Sequence, residues 1–231
     1  MDQREFKKHT ICREIGLEKE KFPKIIAFID FANVDHWFDE DNYGLDGKPL
    51  SVDQRIAIDI GKLKDFLYNF ADDVRFYYGH DPSNSGSLGF NTVAKHIFGQ
   101  HRVFTKRIQK VRHNLTPADS VSNTRVIYSD DQGDYVLIPK CNFDVEITID
   151  AIRLMKDYDT ICLLSSDADF AALIRYLKNK KNKKKAILIK GGRIDSSLGE
   201  IIDLKIDASQ IKRYICQIKQ KPGARPGSAD S

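Results

Sequence analysis

The stretch Ile25-Ile-Ala-Phe-Ile29-Asp30-Phe-Ala-Asn33 decides the fold. Its five leading apolar residues do not alternate with polar ones, so both faces of the segment are expected to be buried. That is the mark of a strand inside a parallel sheet. Ile161-Cys-Leu-Leu164 and Ala186-Ile-Leu-Ile189 have the same character. Val74-Arg-Phe-Tyr-Tyr78 reads as a fourth strand nearer an edge, and Val103 to Ile108 as a weaker fifth.

Helical patterns fill the intervals. Phe170, Leu173, Ile174 and Leu177 fall at i, i+3, i+4 and i+7, which predicts a helix from about Asp167 to Asn179. Val145, Ile149, Ile152 and Met155, with Ile147, Ala151 and Leu154 beside them, predict a largely buried helix after Asp144. Ile60, Leu63, Phe66, Leu67 and Phe70 mark another. Strands alternating with helices imply βαβ units. Right-handed crossovers then give an α/β, Rossmann-like, doubly wound and mostly parallel sheet with helices on both faces. Residues 39–52 break the rhythm as a polar loop. Within 110–140, Thr124–Tyr128 and Asp134–Ile138 flank Ser-Asp-Asp-Gln-Gly and predict a β-hairpin insertion. The expected organisation is a charged N-terminal extension over residues 1–22, one domain over 23–217, and a Pro/Gly/Ser-rich tail over 218–231 expected to be disordered.

Composition narrows the function classes. The 231 residues are 41% hydrophobic and 30% charged, enough for one full core without staples. No apolar run approaches the roughly 18 residues of a membrane span, and the charged N-terminal segment has no apolar core of a secretory signal. Cys12, Cys141, Cys162 and Cys216 are scattered without a C-x-x-C pair, which fits reduced thiols and a cytoplasmic location better than disulfides or zinc. The balance of 37 Lys+Arg against 33 Asp+Glu, net +4, permits a nucleic-acid partner without requiring one. A homodimer is equally permitted.

The acids are more telling. Asp30 ends the first strand, and residues just past the carboxyl ends of strands face the ligand crevice of a doubly wound sheet. Asp167 and Asp169 follow the strand Ile161–Leu164 in Ser165-Ser-Asp-Ala-Asp-Phe170, and Asp144 starts its own helix. Helix capping explains each Asp singly, with Glu146 and Asp150 as solvated face residues, but it does not explain Asp30 with Asn33 a turn later. Carboxylates gathered at one crevice need a counter-ion, and an all-oxygen donor set favours a hard cation such as Mg²⁺ or Mn²⁺. Such a site suits phosphodiester hydrolysis, where the metal activates water and neutralises charge on phosphate oxygens.

These residues resemble a known family. Ile26-Ala-Phe-Ile-Asp30-Phe-Ala-Asn33 resembles the opening strand of the NYN-domain nucleases of the PIN-like superfamily, particularly the LabA-like branch. Phe143-Asp144-Val145 followed by Asp150 is similar to that family's Gly-Val-Asp-Val helix start and second helix acid. Leu164-Ser-Ser-Asp167-Ala-Asp169-Phe170 is similar to its Ser-Gly-Asp-x-Asp-Phe motif. The resemblance spans roughly Lys24 to Asp207 and implies a metal-dependent endoribonuclease acting on single-stranded RNA. By position, Asp30, Asp144 and Asp167 would hold Mg²⁺ or Mn²⁺. Asp169 would be a fourth acid, and Asn33 a polar partner to substrate or metal. Asp150, rotated about 240° from Asp144 on an ideal helix, is read as a supporting or salt-bridging acid. Asn142 and Ser166 stand where the family has Gly, at positions expected to need a tight or left-handed backbone.

Other signals admit plainer readings. The run Lys178–Lys185 reads as a solvated loop at the far end of its helix from Asp167. Lys106, Arg107, Lys110 and Arg112, with His113, are the better candidates for RNA phosphates. Trp37, Phe38 and Tyr43 stack a base or, the favoured reading, pack at the rim. His96 and His101 show no ligand spacing, and Gly191-Gly192 reads as a turn. Two other functions compete. A catalytically silent RNA-binding or scaffold module on the same fold would show its acids too far apart to share a metal. A phosphatase or receiver domain fits less well: Ala32 occupies the place of a second Asp after the first strand, and no middle-strand Asp joins Lys190.

Overall fold

The computed structural model describes residues 2–116, 126–192 and 196–221. In chain order the strands are β1 (Ile25–Asp30), β2 (Gln54–Ile58), β3 (Asp73–His80), β4 (Val103–Arg107), β5 (Gln109–Asn114), β6 (Tyr128–Asp130), β7 (Gly133–Lys140), β8 (Thr160–Leu164), β9 (Lys185–Lys190), β10 (Leu204–Asp207) and β11 (Cys216–Gln220). The helices are α1 (Gln3–Glu14), α2 (Phe31–Val34), α3 (Ile60–Leu67), α4 (Ser85–Phe98), α5 (Asp144–Arg153), α6 (Phe170–Lys178), α7 (Ser196–Gly199) and α8 (Ala208–Ile215).

Six strands form one wholly parallel sheet in the order β10-β9-β8-β1-β3-β4. The chain starts at the centre with β1 and builds outward through β3 to β4. It then crosses to the opposite side of β1 and builds outward again through β8, β9 and β10. The reversal opens a crevice at the carboxyl ends of β1 and β8, the switch point where doubly wound sheets bind ligands. Every residue of β1 is buried. Ile25, Ala27 and Ile29 enter one core with Leu63, Phe98 and Ile211, while Ile26 and Phe28 enter the other with Ile147, Ile174 and Leu198. Helices therefore cover both faces, and the continuous apolar run is accounted for. No helix among the described residues is long and apolar enough to cross a membrane.

Several elements differ from the expectation. The helix α5 turns a different face to the core: Ile147, Asp150 and Ala151 are buried, while Val145, Ile149 and Ile152 are exposed. Apolar residues lie on every side of this helix, so periodicity alone could not choose a stripe. Asp150 is no solvated residue; it accepts a 2.8 Å hydrogen bond from the Tyr77 hydroxyl and pairs with Arg153 at 3.4 Å. The N-terminal extension is a helix whose Ile11, with Ile15 and Leu17 after it, joins the core. Strands β2 and β11 pair antiparallel, so ordered structure continues past residue 218 to Gln220. Beyond Lys221 the expected tail lies outside the described residues.

The insertion is a three-stranded sheet in the order β5-β7-β6. Ser129 and Asp130 pair with Asp134 and Gly133, leaving Asp131 and Gln132 at the turn. A hairpin is present, but its first strand begins at Tyr128, the last residue of the expected strand, and runs into the expected turn; Val126 and Ile127 are not in a strand, and Thr124 and Arg125 lie outside the described residues. All four cysteines are free thiols.

Candidate active site

Three elements deliver acids to the crevice. Asp30 is the last residue of β1 and only 9% exposed. Asp144 opens α5, where its backbone N–H donates to Asn142 Oδ1 at 2.8 Å. The helix after β8 begins at Phe170, three residues later than expected, because Ser165 to Asp169 form a separate turn. In that turn Asp167 Oδ1 accepts the backbone N–H of Asp169 at 3.0 Å, so Asp167 caps the turn while its second oxygen remains available.

Carboxylate oxygens of Asp144, Asp167 and Asp169 lie within 4.8 Å of one another. Two oxygens bound to one hard cation at about 2.0–2.6 Å each are at most about 5.2 Å apart, so this donor set fits a single Mg²⁺- or Mn²⁺-type ion. Asp30 lies outside that group, tied to it through Ser165. The fully buried Ser165 hydroxyl donates to Asp30 Oδ2 at 3.2 Å and accepts the backbone N–H of Asp167 at 3.2 Å. Sequence reading missed Ser165. Its only local signal is a hydroxyl at a strand end, two residues before an Asp.

The electrostatics agree with a site suited to a cation. None of the ion pairs among the described residues involves Asp30, Asp144, Asp167 or Asp169. Burial, opposed by the Ser165 hydrogen bond and reinforced by Asp144 and Asp167, pushes the Asp30 carboxyl up to about 6. Burial, followed by repulsion from Asp167 and Asp169, also raises Asp144.

The substituted glycine positions need no left-handed backbone. Among the described residues only Lys24 and Lys183 have positive φ outside glycine. Asn142 supplies the bond to Asp144 just described, and Ser166 Oγ donates to the Gly191 carbonyl at 2.7 Å. Asn33 Oδ1 accepts from both Trp37 Nε1 at 3.1 Å and Ser166 N–H at 3.0 Å. Its oxygen is thereby engaged within the protein, bracing the β8–α6 turn against α2. Trp37 packs against the core and over Gly191, which closes off its role as a free base platform. A Cβ at Gly191 would lie 2.5 Å from Trp37 Cδ1 and 2.6 Å from Cγ. Gly191→Ala is expected to destabilise the chain by about 1–3 kcal/mol through overpacking, read as a lower urea midpoint at unchanged slope; an unchanged midpoint would show that Trp37 moves aside freely.

The basic candidates are largely spoken for. Lys106 pairs with Glu146 at 2.8 Å and sits over the Phe143 ring, Lys110 lies 3.6 Å from Asp81, and Arg112 pairs with Asp130. Arg107 is exposed at the end of β4. Lys178 and Lys184 of the other basic run pair with Asp203 and Asp159, away from the carboxyl ends of the strands.

Comparison with known proteins places these observations. The NYN domain description matches residues 24–201. Low amplitude and bright protein LabA of Synechococcus elongatus is 33% identical over 76 residues, covering 33% of this chain and 40% of that protein. The chain thus matches less than half the length of this curated relative. The crystal structure of a protein of unknown function from Vibrio parahaemolyticus aligns with a TM-score of 0.55 at 18% identity, covering 86% of this chain and 99% of the other. That likeness is one of fold.

Proposed function

The chain belongs to the NYN domain family, and from that premise we propose that it is a divalent-metal-dependent endoribonuclease that hydrolyses single-stranded RNA. The observation that carries the reading is the convergence of Asp144, Asp167 and Asp169 within 4.8 Å, with no basic partner among the described residues, at the switch point of the sheet. NYN domains are typically nucleases, and a silent scaffold would have no need to hold three unpaired carboxylates together.

In this proposal Asp144 and Asp167 hold Mg²⁺ or Mn²⁺ with Asp169 beside them, and Asp30 acts from behind through Ser165. A bound hard cation would neutralise charge on the phosphate oxygens and lower the pKa of a water. Asp169, the most exposed of the three clustered acids, is placed to orient that water or accept its proton. Asn33 is a positioning residue: its bonds to Trp37 and Ser166 fix the turn carrying Asp167. Arg107, Lys106, Lys110 and Arg112 lie beyond the crevice toward the insertion, where they would meet RNA phosphates. Lys106 and Arg112 must exchange their carboxylate partners to do so.

The test is metal dependence. Treatment with EDTA is expected to lower cleavage of a labelled single-stranded RNA by at least about a hundredfold, and Mg²⁺ or Mn²⁺ restores it. Undiminished cleavage in EDTA would remove the metal from the reading. The cation should also raise the melting temperature, because it binds only the folded chain.

A further inference from the structure

The insertion carries an aromatic stack that the acidic cluster does not explain. In the antiparallel β5-β7-β6 sheet, directly paired residues share a face. Lys110 pairs with Pro139, Arg112 with Leu137, and Asn114 with Tyr135, which in turn pairs with Tyr128. On this face the Arg112 guanidinium lies 4.0 Å from the centre of the Tyr135 ring, and Tyr135 stacks on Tyr128 with centroids 5.5 Å apart and planes 24° apart. Arg112 is fixed from behind by Asp130. Among the described residues the column ends at Tyr128, on the edge strand β6, with the residue 43% exposed. A cross-strand aromatic pair helps hold a small sheet together, and Tyr128, the outer member of this one, has only one ring face occupied by Tyr135.

The same face leads to a groove beside the carboxyl end of β1. Pro139, with Ile108 and Cys141, lines a groove of about 270 Å³ whose other wall holds Phe31 and Tyr78. Phe31 directly follows Asp30, and Lys110 reaches Asp81 just beyond the carboxyl end of β3. From Pro139 to Tyr135 is four residues of strand, about 13 Å, or about four nucleotides at the stacked spacing of 3.4 Å. Two cations, Lys110 and Arg112, share the face of Pro139 and Tyr135, and Arg107 stands exposed at the end of β4 where the arm begins.

We infer that the outer ring face of Tyr128 is a stacking site for a base of single-stranded RNA several nucleotides from the bond that is cut. The arm thereby serves as a clamp selecting for length of single strand. Base–aromatic stacking tolerates every base and binds only unpaired ones, so the site discriminates strandedness and not sequence. This inference rests on the nuclease reading for its substrate, but its measurement is separate from catalysis.

The experiment measures binding of the full chain, in EDTA, to fluorescein-labelled oligouridylates by anisotropy. One is about twelve nucleotides long, enough to pass from the acids beyond the arm at 3.4 Å each; the other is too short to reach both. Tyr128→Val, strand-compatible but without a ring, is expected to bind the longer RNA about tenfold more weakly, while Tyr128→Phe binds it like wild type. The short RNA should not distinguish them. Equal affinity of wild type and Tyr128→Val for the longer RNA would overturn the inference, as would a loss as large with Tyr128→Phe. Wild-type chain that shows the Tyr128 effect yet cleaves nothing with Mn²⁺ would sink the nuclease reading alone.

Discussion

Purified chain carrying Asp167→Asn is expected to cleave single-stranded RNA at least about a thousandfold more slowly than wild type, a loss of about 4 kcal/mol of transition-state stabilisation. The substitution is chosen because it spares the fold. Asparagine has the same shape, and its carboxamide oxygen can still accept the Asp169 N–H that Asp167 Oδ1 now accepts at 3.0 Å. The backbone N–H to Ser165 is untouched. What disappears is one negative charge and one cation-binding oxygen from a cluster spanning 4.8 Å. Stability in EDTA should therefore stay within about 1 kcal/mol of wild type, or rise slightly as repulsion with Asp144 falls. Asp144→Asn should lose activity comparably, since the same three oxygens are at stake. Equal residual cleavage by wild type and Asp167→Asn would assign the activity to a contaminant and leave the acidic cluster without a catalytic role.

The parts of this architecture that could be read in advance are those decided locally. A strand buried on both faces must be apolar at every position, so β1, β8 and β9 declare themselves, and Asp30 stands out as the residue that ends such a run. Asp167 and Asp169 were likewise legible because a single turn carries both. The partners that make these residues a site come from distant elements. Ser165 gains meaning only when β1 lies beside β8 and brings Asp30 to within 3.2 Å of its hydroxyl. Lys106, Lys110 and Arg112 look like free cations in the sequence, and only the folded chain supplies Glu146, Asp81 and Asp130. The helix α5 was expected and is present, but its buried face was not legible, for a different reason. With Val145, Ile147, Ile149, Ala151 and Ile152 distributed around it, the sheet chose the buried face, and it chose the one that sets Asp150 against Tyr77. The helix α4 was passed over because Gly and Ser fill its first half. The helix α8 was passed over too, although Asp207 and Gln210, three residues apart, form a reciprocal capping pair.

Asp30→Asn should separate stability from activity in opposite directions. In wild type without divalent cations, burial raises the Asp30 carboxyl to about 6, with Asp144 and Asp167 adding to the rise. An unfolded Asp titrates near 3.9. Between those values the folded chain holds the proton more tightly than the unfolded one, so stability is full below about pH 4 and is lost as pH rises through about 6. The penalty at neutral pH is about 2–3 kcal/mol at most, because the carboxylate must then stay charged where it is 9% exposed. Asparagine carries no charge at any pH and can still accept the Ser165 hydroxyl. Asp30→Asn is therefore expected to raise the melting temperature in EDTA at pH 7.5 by about 5 °C, with the difference vanishing near pH 4. Adding Mn²⁺ should shrink the gap from the other side, since the cation stabilises wild type through the cluster that Asp30 backs. Cleavage by Asp30→Asn should meanwhile fall, because removing a charge behind Asp144 and Asp167 weakens their hold on a cation. A melting temperature in EDTA that is the same for both chains from pH 4 to 7.5 would mean that Asp30 carries no buried charge, and its part in the site would have to be given up.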